Sequence, residues 1–266
     1  MNKPVIGFAG LTHLGLNSAA ASASNKFTTI GYHDSSSYVA SINRGILPII
    51  EPGLDQLIKK SATYLTFSCD LNILSKCDII YISADVPTYK NGKSNLSPIK
   101  KIIRSCESVI KSTAILVILC QVPPGFTRQI SYSHKSLYYQ VETLIFGEAV
   151  VRATSPERII LGCADPKNRI DQRLLKFLNT FNCPILTMQY ESAELAKISI
   201  NICLVASISA ANTMSEICEK AGANWSEIAP ALKLDKRIGK NSYLKPGLGI
   251  AGGNLERDLH TAMELC

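Results

Sequence analysis

The feature that most constrains the fold is the alternation of short apolar runs with segments of helical length. Each run suits a strand of about four to eight residues, and in chain order they read PVIGFAG, FTTIGY, TYLTFS, CDIIYISA, AILVILC and RIILGC. Segments such as SYVASINRG and SPIKKIIRSCESVIK separate them. This alternation is typical of βαβ units, in which helices cover both faces of a parallel sheet. The sequence therefore predicts an α/β domain with a mostly parallel sheet over residues 1–189.

Residues 190–266 have a different character. The stretch ESAELAKISINICLVASISAANTMSEICEKAG reads as one helix of about 30 residues, with Gly222 as its stop signal. Apolar residues lie nearly all round it, so the helix should be buried, and a second subunit is one way to cover it. We expect a helical domain whose long central helix, residues 191–221, forms a homodimer.

Composition narrows the class of protein. The chain has 266 residues, 46% hydrophobic and 18% charged, with no apolar run long enough for a membrane helix, so we expect a protein without a membrane span. The nine cysteines are scattered singly, without zinc spacing, and indicate reduced, buried thiols in the cytoplasm and no metal site. The net charge of +7 is diffuse and gives a weak nucleic-acid footprint. A polyanionic small ligand such as a nucleotide suits this charge, and we expect no nucleic-acid partner.

The segment GLTHLG follows the first predicted strand, where a Rossmann-type dinucleotide fold has G-x-G-x-x-G. Gly10 and Gly15 fit the tight turn and the close packing of helix on strand. Thr12 occupies the middle position, where a side chain intrudes on the pyrophosphate. His13 and Leu14 complete the loop, and the helix amino terminus beyond it is an anion site in principle.

The second predicted strand ends in GYHD, where an acid should bind the ribose hydroxyls. His33 occupies that position, and Asp34 follows it. A shift of one residue turns a side chain to the other face of a strand, but a strand end can still bring Asp34 round. Both residues are candidates, and a sheet that keeps its shape without binding a cofactor is the alternative.

With these motifs together, the sequence resembles the UDP-glucose/GDP-mannose dehydrogenase family over essentially its whole length. The ordered matches are NRGILPIIEPGL, ISADVPT, VPPGFT, VETLIFGEAV, SPERIILG, ELAKISIN, DKRIG and PGLGIAGGNLERD. The resemblance implies NAD as cofactor and a nucleotide sugar, a UDP-sugar first of all, as the substrate whose C6 alcohol is oxidised to a carboxylate. Further contacts are implied for two sets of residues. These are Pro87, Thr88 and Gln121 for the cofactor, and Arg237, Gly249, Gly252 and Gly253 for the substrate.

Polar residues on the long helix suggest chemistry. Glu194, Lys197 and Asn201 share one helix face, and a lysine and an amide on an apolar helix are costly to bury without a function. An ammonium there can stabilise a developing alkoxide or oxyanion. The resemblance assigns that task to Lys197 and Asn201, gives Asp258 the positioning of a water or the base, and adds Glu142 to the catalytic set. Taken without the resemblance, Lys197 extends to solvent and Asn201 fills a packing defect.

Several residues depart from the family pattern. Asn254 stands where the family has the cysteine that forms a thioester in the second oxidation, and asparagine cannot do so. Phe146 replaces a glutamate, and Gln121 replaces a threonine that holds water. The chain also stops soon after Asp258, where the family continues into a C-terminal UDP-binding domain. The sequence is identified as a short, degenerate member of the family, or as a portion of a longer one.

Three functions remain open at this point. The first is an NAD-dependent oxidoreductase with a weakened NAD site, limited to two-electron alcohol or aldehyde chemistry. The second is a catalytically inactive homologue, a pseudoenzyme that acts as a nucleotide-sugar-binding or protein-interaction dimer. The third is a structural dimerisation module built on the long helix.

Overall fold

The protein is described from a computed structural model. The structure describes residues 3–89, 91–133, 135–247 and 253–266, without the side chains of residues 253 and 254. The chain divides into two compact units. The first comprises Met1–Pro87 and Asn95–Leu195, and the second comprises Thr88–Ser94 and Ala196–Cys266.

The first unit is built on one eight-stranded sheet. Its strands are β1 (Ile6–Ala9), β2 (Thr29–Tyr32), β3 (Leu65–Ser68), β4 (Ile79–Ile82), β5 (Ile115–Ile118), β6 (Leu137–Gln140), β7 (Ile159–Cys163) and β8 (Ile185–Gln189). They lie in the order β3-β2-β1-β4-β5-β6-β7-β8. Neighbouring strands are parallel except β6 and β7, which are antiparallel. The predicted Rossmann-type, mostly parallel sheet is confirmed; β6 and β8 are strands that the sequence did not reveal.

Helices connect these strands. They are α1 (His13–Ser24), α2 (Ser36–Asn43), α3 (Leu54–Lys60), α4 (Ser97–Glu107), α5 (Ala149–Thr154) and α6 (Gln172–Leu178). In α4, Ile99, Ile103 and Cys106 are buried at the spacing of one helix face, which is why this segment forms an amphipathic helix on the sheet. Pro98 lies in its first turn, where a missing N–H has no consequence.

One face of the sheet packs against α1 and α6. Ile6 and Phe8 lie two residues apart on β1 and so point to the same face of the sheet. Both belong to a core cluster that includes Ala19 of α1 and Phe177 of α6. Phe8 also stacks on Tyr81 of β4, with ring centroids 5.1 Å apart. Burial of one such side chain contributes about 1.5–3 kcal/mol. This packing fixes α1 and the turn that precedes it.

The remaining helices are α7 (Tyr190–Ala221), α8 (Trp225–Leu234) and α9 (Gly253–Leu265). The prediction of one long helix is confirmed, because α7 has 32 residues. It ends at Ala221, and Gly222 follows with a φ of +70°, the left-handed conformation that follows many helices. In the second unit, the Trp225 indole donates a hydrogen bond of 2.8 Å to the carbonyl oxygen of Leu244 within a small buried cluster.

Helix α7 keeps several apolar side chains exposed, among them Leu195, Ile202, Met214 and Ile217. Within the described residues it is the one helix long and apolar enough to cross a membrane, judged by length and composition, and 33% of its most apolar window is buried. Those two criteria are a weak indicator, because core helices of soluble proteins meet them as well.

The nine cysteines are free, but their environments differ. Cys69, Cys203 and Cys266 are exposed, so the expectation of buried thiols holds for only part of the set. Burial raises the pKa of Cys106 and of Cys120 to about 12, which keeps both thiols protonated at neutral pH.

Candidate functional site

The turn between β1 and α1 requires glycine at two positions. Gly10 has a φ of +104°, and a Cβ on it would lie 2.7 Å from the backbone nitrogen of Ala84. A Cβ on Gly15 would lie 1.9 Å from the carbonyl oxygen of Gly10. Helix α1 therefore packs directly on the turn, and its amino terminus lies at the carboxyl edge of the sheet, where α/β proteins bind ligands.

Thr12 immediately precedes α1 but does not cap it. Its Oγ1 donates a hydrogen bond of 3.2 Å to the carbonyl oxygen of Ser83, which follows β4, and it accepts none from the helix. Leu14 packs into the core cluster and is 9% exposed. The first-turn N–H groups of α1 are therefore not satisfied by Thr12, and groups of this kind bind anions.

His13, the first residue of α1, connects a buried carboxylate to an exposed aromatic ring. Its Nε2 lies 2.8 Å from Oε2 of Glu51, and its ring stacks on Phe146 with centroids 4.0 Å apart. Glu51 also accepts hydrogen bonds from the amides of Gly147 (3.1 Å) and Ala149 (2.9 Å) at the start of α5. Burial alone would raise the pKa of Glu51, but the hydrogen bonds from His13 and the two amides lower it below its ordinary value. Glu51 is thus an ionised carboxylate at neutral pH that links α1 to α5.

The end of β2 carries an aromatic pair where an acid was expected. His33 stacks on Tyr38 with centroids 4.1 Å apart, and its Nδ1 accepts a hydrogen bond of 3.1 Å from the Ser35 amide. The Tyr38 hydroxyl donates a hydrogen bond of 2.5 Å to the carbonyl oxygen of Leu11, which links α2 to the glycine turn. Asp34 lies 3.3 Å from the His33 ring nitrogen but leaves 80% of its side chain exposed. The structure therefore connects His33 to the turn and leaves Asp34 at the surface.

Other predicted cofactor and catalytic residues follow the ends of β4, β5 and β6. Pro87 and Thr88 are exposed, and the boundary between the two units falls between them. Gln121 and Glu142 are half-buried, and the Glu142 carboxylate accepts a hydrogen bond from the Leu144 amide. Gln121 and Glu142 follow strands parallel to β1, so they lie at the same edge of the sheet as the glycine turn.

Glu194, near the start of α7, is buried and holds the VPPGFT segment. Its carboxylate accepts hydrogen bonds from the amides of Gly125 (2.6 Å) and Thr127 (2.8 Å). Burial raises the pKa of Glu194 more than these hydrogen bonds lower it. The exposed pair of Arg128 and Glu191 stands beside it, with Nε and Oε1 2.5 Å apart. Glu194 therefore orders the loop after β5 within the first unit.

The second unit buries an amide, a carboxylate and a guanidinium together. Asn201 of α7 is 8% exposed, and Arg257 and Asp258 of α9 are each 3% exposed. The Asn201 Nδ2 donates a hydrogen bond of 2.5 Å to Oδ2 of Asp258, and the Arg257 Nε lies 3.9 Å from Oδ1. Lys197 is half-buried and lies about one helical turn before Asn201. The structure thus brings two of the predicted catalytic residues, Asn201 and Asp258, into direct contact.

The predicted substrate residues are less fully described. Arg237 is exposed, and its Nη2 lies 2.6 Å from a carboxylate oxygen of the aspartate two residues before it. Gly249 and Gly252 lie outside the described residues. Gly253 begins α9 and Asn254 follows it, but the side-chain positions at both lie outside the description.

These arrangements define what each unit can do chemically. In the second unit, the Asn201 amide holds the buried Asp258 carboxylate, and the same helix as Asn201 carries Lys197. Such a carboxylate can accept a proton while the lysine ammonium stabilises an oxyanion. In the first unit, the glycine turn and the uncapped end of α1 suit a diphosphate. Among the residues that the structure describes, no group of three His, Cys, Asp or Glu side chains is placed to hold a metal ion.

Sequence reasoning gave no role to three residues that the structure makes central. Glu51 lies within the quoted motif NRGILPIIEPGL, and its position between an apolar run and Pro–Gly is the signal for a buried acid. Arg257 lies between two acidic residues in LERD, a pattern that can indicate a buried charge pair. Tyr38 follows three serines and carries no comparable signal.

Comparison with known proteins gives the same assignment to both parts of the chain. Residues 4–181 match the profile of the UDP-glucose/GDP-mannose dehydrogenase family NAD binding domain, and residues 191–266 match the central domain of that family. UDP-glucose 6-dehydrogenase TuaD of Bacillus subtilis is 29% identical over 86% of this chain and 52% of its own length. The UDP-glucose 6-dehydrogenase of Drosophila melanogaster is 30% identical over 87% of this chain and 53% of its own length.

An uncharacterised protein of Methanocaldococcus jannaschii is 31% identical over 97% of this chain and 30% of its own length. The chain therefore spans about half, or less, of the curated relatives named here. Among solved structures, a UDP-glucose dehydrogenase from Pyrobaculum islandicum superposes with a TM-score of 0.89 at 24% identity, over 99% of this chain and 64% of that one. A GDP-mannose dehydrogenase from Pseudomonas aeruginosa gives a TM-score of 0.80 at 22% identity, over 98% of this chain and 64% of that one. At these identities the structures establish the fold.

Proposed function

The chain belongs to the UDP-glucose/GDP-mannose dehydrogenase family, and we propose that it acts as an NAD-dependent oxidoreductase on a nucleotide sugar, with a UDP-sugar as the first candidate. The proposed reaction is limited to two-electron alcohol/aldehyde chemistry: it oxidises an alcohol to an aldehyde and goes no further. Relatives named as UDP-glucose 6-dehydrogenases support the substrate class.

The observation that carries this proposal is the buried contact between Asn201 and Asp258. Their hydrogen bond of 2.5 Å joins α7 to α9 within the second unit, at a site where both side chains are nearly inaccessible. A buried carboxylate is costly unless hydrogen bonds satisfy it. Retention of this pair beside Lys197 is the arrangement expected of a working proton-transfer site rather than of an incidental packing contact.

The residues of the first turn fit a dinucleotide. Gly10 and Gly15 leave no room for a Cβ, and Thr12 leaves the first-turn amides of α1 uncapped. The diphosphate would lie at this amino terminus, and the ribose would lie toward His33 at the end of β2. Thr12 and His33 each remove a contact that the dinucleotide fold normally supplies, so we expect a weakened NAD site.

Oxidation of the alcohol requires loss of a hydride from carbon and of a proton from oxygen. When bound, NAD supplies the acceptor for the hydride. Asp258, held in place by Asn201, accepts the proton directly or through one water. The Lys197 ammonium stabilises the negative charge that develops on the substrate oxygen. Glu142, at the carboxyl edge of the sheet, completes the proposed catalytic set.

The restriction to two electrons rests on Asn254. In the family, a cysteine at this place forms the thioester of the second oxidation, and an amide side chain cannot form one. The carbonyl compound would therefore be released instead of being carried on to the acid.

Location and assembly are part of the same proposal. The exposed apolar residues of α7, such as Ile202 and Met214, support a homodimer formed through residues 191–221. A cytoplasmic location agrees with nine free cysteines.

The second candidate function is a catalytically inactive homologue that binds a nucleotide sugar or a protein partner. The observation in its favour is the stacked pair of His33 and Tyr38, which fills the end of β2 where an acid would bind the ribose. This candidate predicts a folded protein without turnover.

Calorimetry with NAD and NADH at millimolar concentrations tests the proposal first, and absence of binding would end it. Steady NADH production with a nucleotide sugar would then exclude the inactive homologue. Lys197→Ala should lower turnover by about 100–1,000-fold, the usual loss when one oxyanion-stabilising group is removed. Lys220→Ala, an exposed lysine near the end of the same helix, should leave turnover unchanged.

A further inference from the structure

His13 has one ring nitrogen engaged and one without a protein partner. Its Nε2 lies 2.8 Å from Glu51, and one face of the ring packs on Phe146. In the described part of the chain, no hydrogen bond or ion pair joins Nδ1 to another residue. The side chain keeps 12% of its surface exposed. The first residue of α1 therefore has one polar atom available to a ligand.

Glu51 fixes which ring atom carries the proton. The Gly147 and Ala149 amides donate to its carboxylate and its pKa is lowered, so the carboxylate is ionised at neutral pH and can only accept. Nε2 must therefore carry a hydrogen and donate it to Glu51. In the neutral ring Nδ1 is then an acceptor, whereas in the protonated ring Nδ1–H is a donor. Only the protonated ring can donate from Nδ1 to a second anion while Nε2 donates to Glu51.

We propose that His13 is a proton-dependent recognition residue for the diphosphate of the dinucleotide, an inference that rests on the proposed function. Thr12 stands where a glycine lets the backbone approach that diphosphate, and His13, the next residue, offers a cation instead. The protonated ring adds a charge-assisted hydrogen bond to the anion at the first turn of α1, while Glu51 balances its charge and holds its orientation. Binding takes up a proton where the ring starts neutral, so affinity falls as the pH rises.

The charged groups on the elements around α1 do not compete for this role. On α5, the Nε of Arg152 lies 3.5 Å from a Glu148 carboxylate oxygen. On α3 the Lys59 ammonium lies 4.0 Å from Asp55, and Lys60 is exposed at the end of the helix. Strands β1, β2 and β3 carry no carboxylate or cationic side chain, and their one titratable group is the Tyr32 phenol, whose pKa burial raises above its ordinary value. Glu51 is the ionised group in contact with the ring, and its lowered pKa keeps its charge constant across the neutral range.

Titration with NADH, followed by its fluorescence at about pH 6 and about pH 8, tests the proposal in the range where histidines titrate. The unaltered protein should bind NADH about tenfold more tightly at the lower pH, as expected for one charge-assisted hydrogen bond. Calorimetry in two buffers of different ionisation enthalpy should show proton uptake on binding. His13→Gln and His13→Tyr retain a group that can donate to Glu51 but cannot be protonated. Both should bind with a pH-independent affinity close to that of the unaltered protein at the higher pH.

Asp78→Asn is the matched control. Asp78 also accepts a backbone amide, from Val5, and pairs with Lys111 at 2.9 Å, but it lies at the amino end of β4. This variant should keep the pH dependence of the unaltered protein.

Two results would overturn the role of His13 alone: NADH binding that is equally tight at both pH values, or pH dependence that survives in both His13 variants. If the unaltered protein binds no NADH at either pH, the proposed function fails together with the role of His13.

Discussion

The hydrogen bond between Asn201 and Asp258 allows a quantitative test of the second unit. Asn201→Ala removes a donor from a carboxylate that is 3% exposed. A hydrogen bond to a charged group contributes about 1.5–3 kcal/mol, and loss of the donor leaves the carboxylate less well satisfied where water cannot reach it. We therefore expect Asn201→Ala to lower the free energy of unfolding by about 2–3 kcal/mol. In a protein that already carries Asp258→Ala, Asn201→Ala should have little further effect on stability. The double-mutant cycle should therefore give a coupling energy of about 1.5–3 kcal/mol.

Denaturant unfolding followed by tryptophan fluorescence measures this coupling. Trp225 is the single tryptophan of the chain and lies buried in the second unit, so its emission reports the unfolding of that unit. Asn212→Ala is the matched control, since Asn212 lies on the same helix and accepts a hydrogen bond of 2.9 Å from the Gly247 amide. Its loss should cost about 1 kcal/mol or less. A coupling energy below about 0.5 kcal/mol, or equal effects of Asn201→Ala and Asn212→Ala, would refute the special role of the buried pair.

Three further predictions concern the first unit. Gly15→Ala should destabilise the protein by about 3 kcal/mol or more, measured by denaturant unfolding, because its Cβ would lie 1.9 Å from the carbonyl oxygen of Gly10; a loss below about 1 kcal/mol would contradict this packing. Because the pKa of Glu51 is lowered on folding, the ionised carboxylate stabilises the folded protein at pH values above the ordinary pKa of a glutamate, and this stabilisation should disappear as the pH falls through the lowered value. Glu51→Gln should therefore flatten the acid limb of a plot of the free energy of unfolding against pH. Cys69 should react with a thiol reagent at neutral pH well before Cys120, whose pKa burial raises to about 12, and comparable labelling rates in the folded protein would contradict this.

Much of the first unit could be predicted because its sequence is locally consistent. The apolar runs that form β1, β4 and β5 are buried on both faces of a parallel sheet, which is the pattern that made them recognisable. Gly10 and Gly15 were recognisable because no other residue fits a turn packed this closely.

Strands β6 and β8 lacked such a signal. Strand β6, LYYQ, contains two tyrosines and a glutamine, and its partner β7 runs antiparallel to it. Strand β8, ILTMQ, is partly exposed at the edge of the sheet, so its composition is mixed. In β8 the signal is weak because burial is incomplete, and propensity in strands follows burial. In β6 the first three residues are buried, and the signal is weak because the strand contains no run of aliphatic residues.

The candidate site likewise contains one contact that could be predicted from the sequence and others that could not. The contact between Asn201 and Asp258 follows from motifs that the sequence displays, although 57 residues separate the two. The link from Glu51 to His13 joins residues 38 apart through side chains that no periodic pattern records. The stacking of His33 on Tyr38 depends on where α2 begins after β2, and a sequence pattern does not fix that position to within one residue.

The most direct test of the central proposal is the oxidation state of the product. The protein would be incubated with NAD and UDP-glucose, NADH would be counted by absorbance, and the product would be identified by mass spectrometry. We predict one NADH for each sugar oxidised and an aldehyde product, whereas Asn254→Cys should restore the thiol and carry part of the product on to the carboxylate with a second NADH. Formation of the carboxylate by the unaltered protein, or absence of NADH formation from any nucleotide sugar tested, would contradict the proposal.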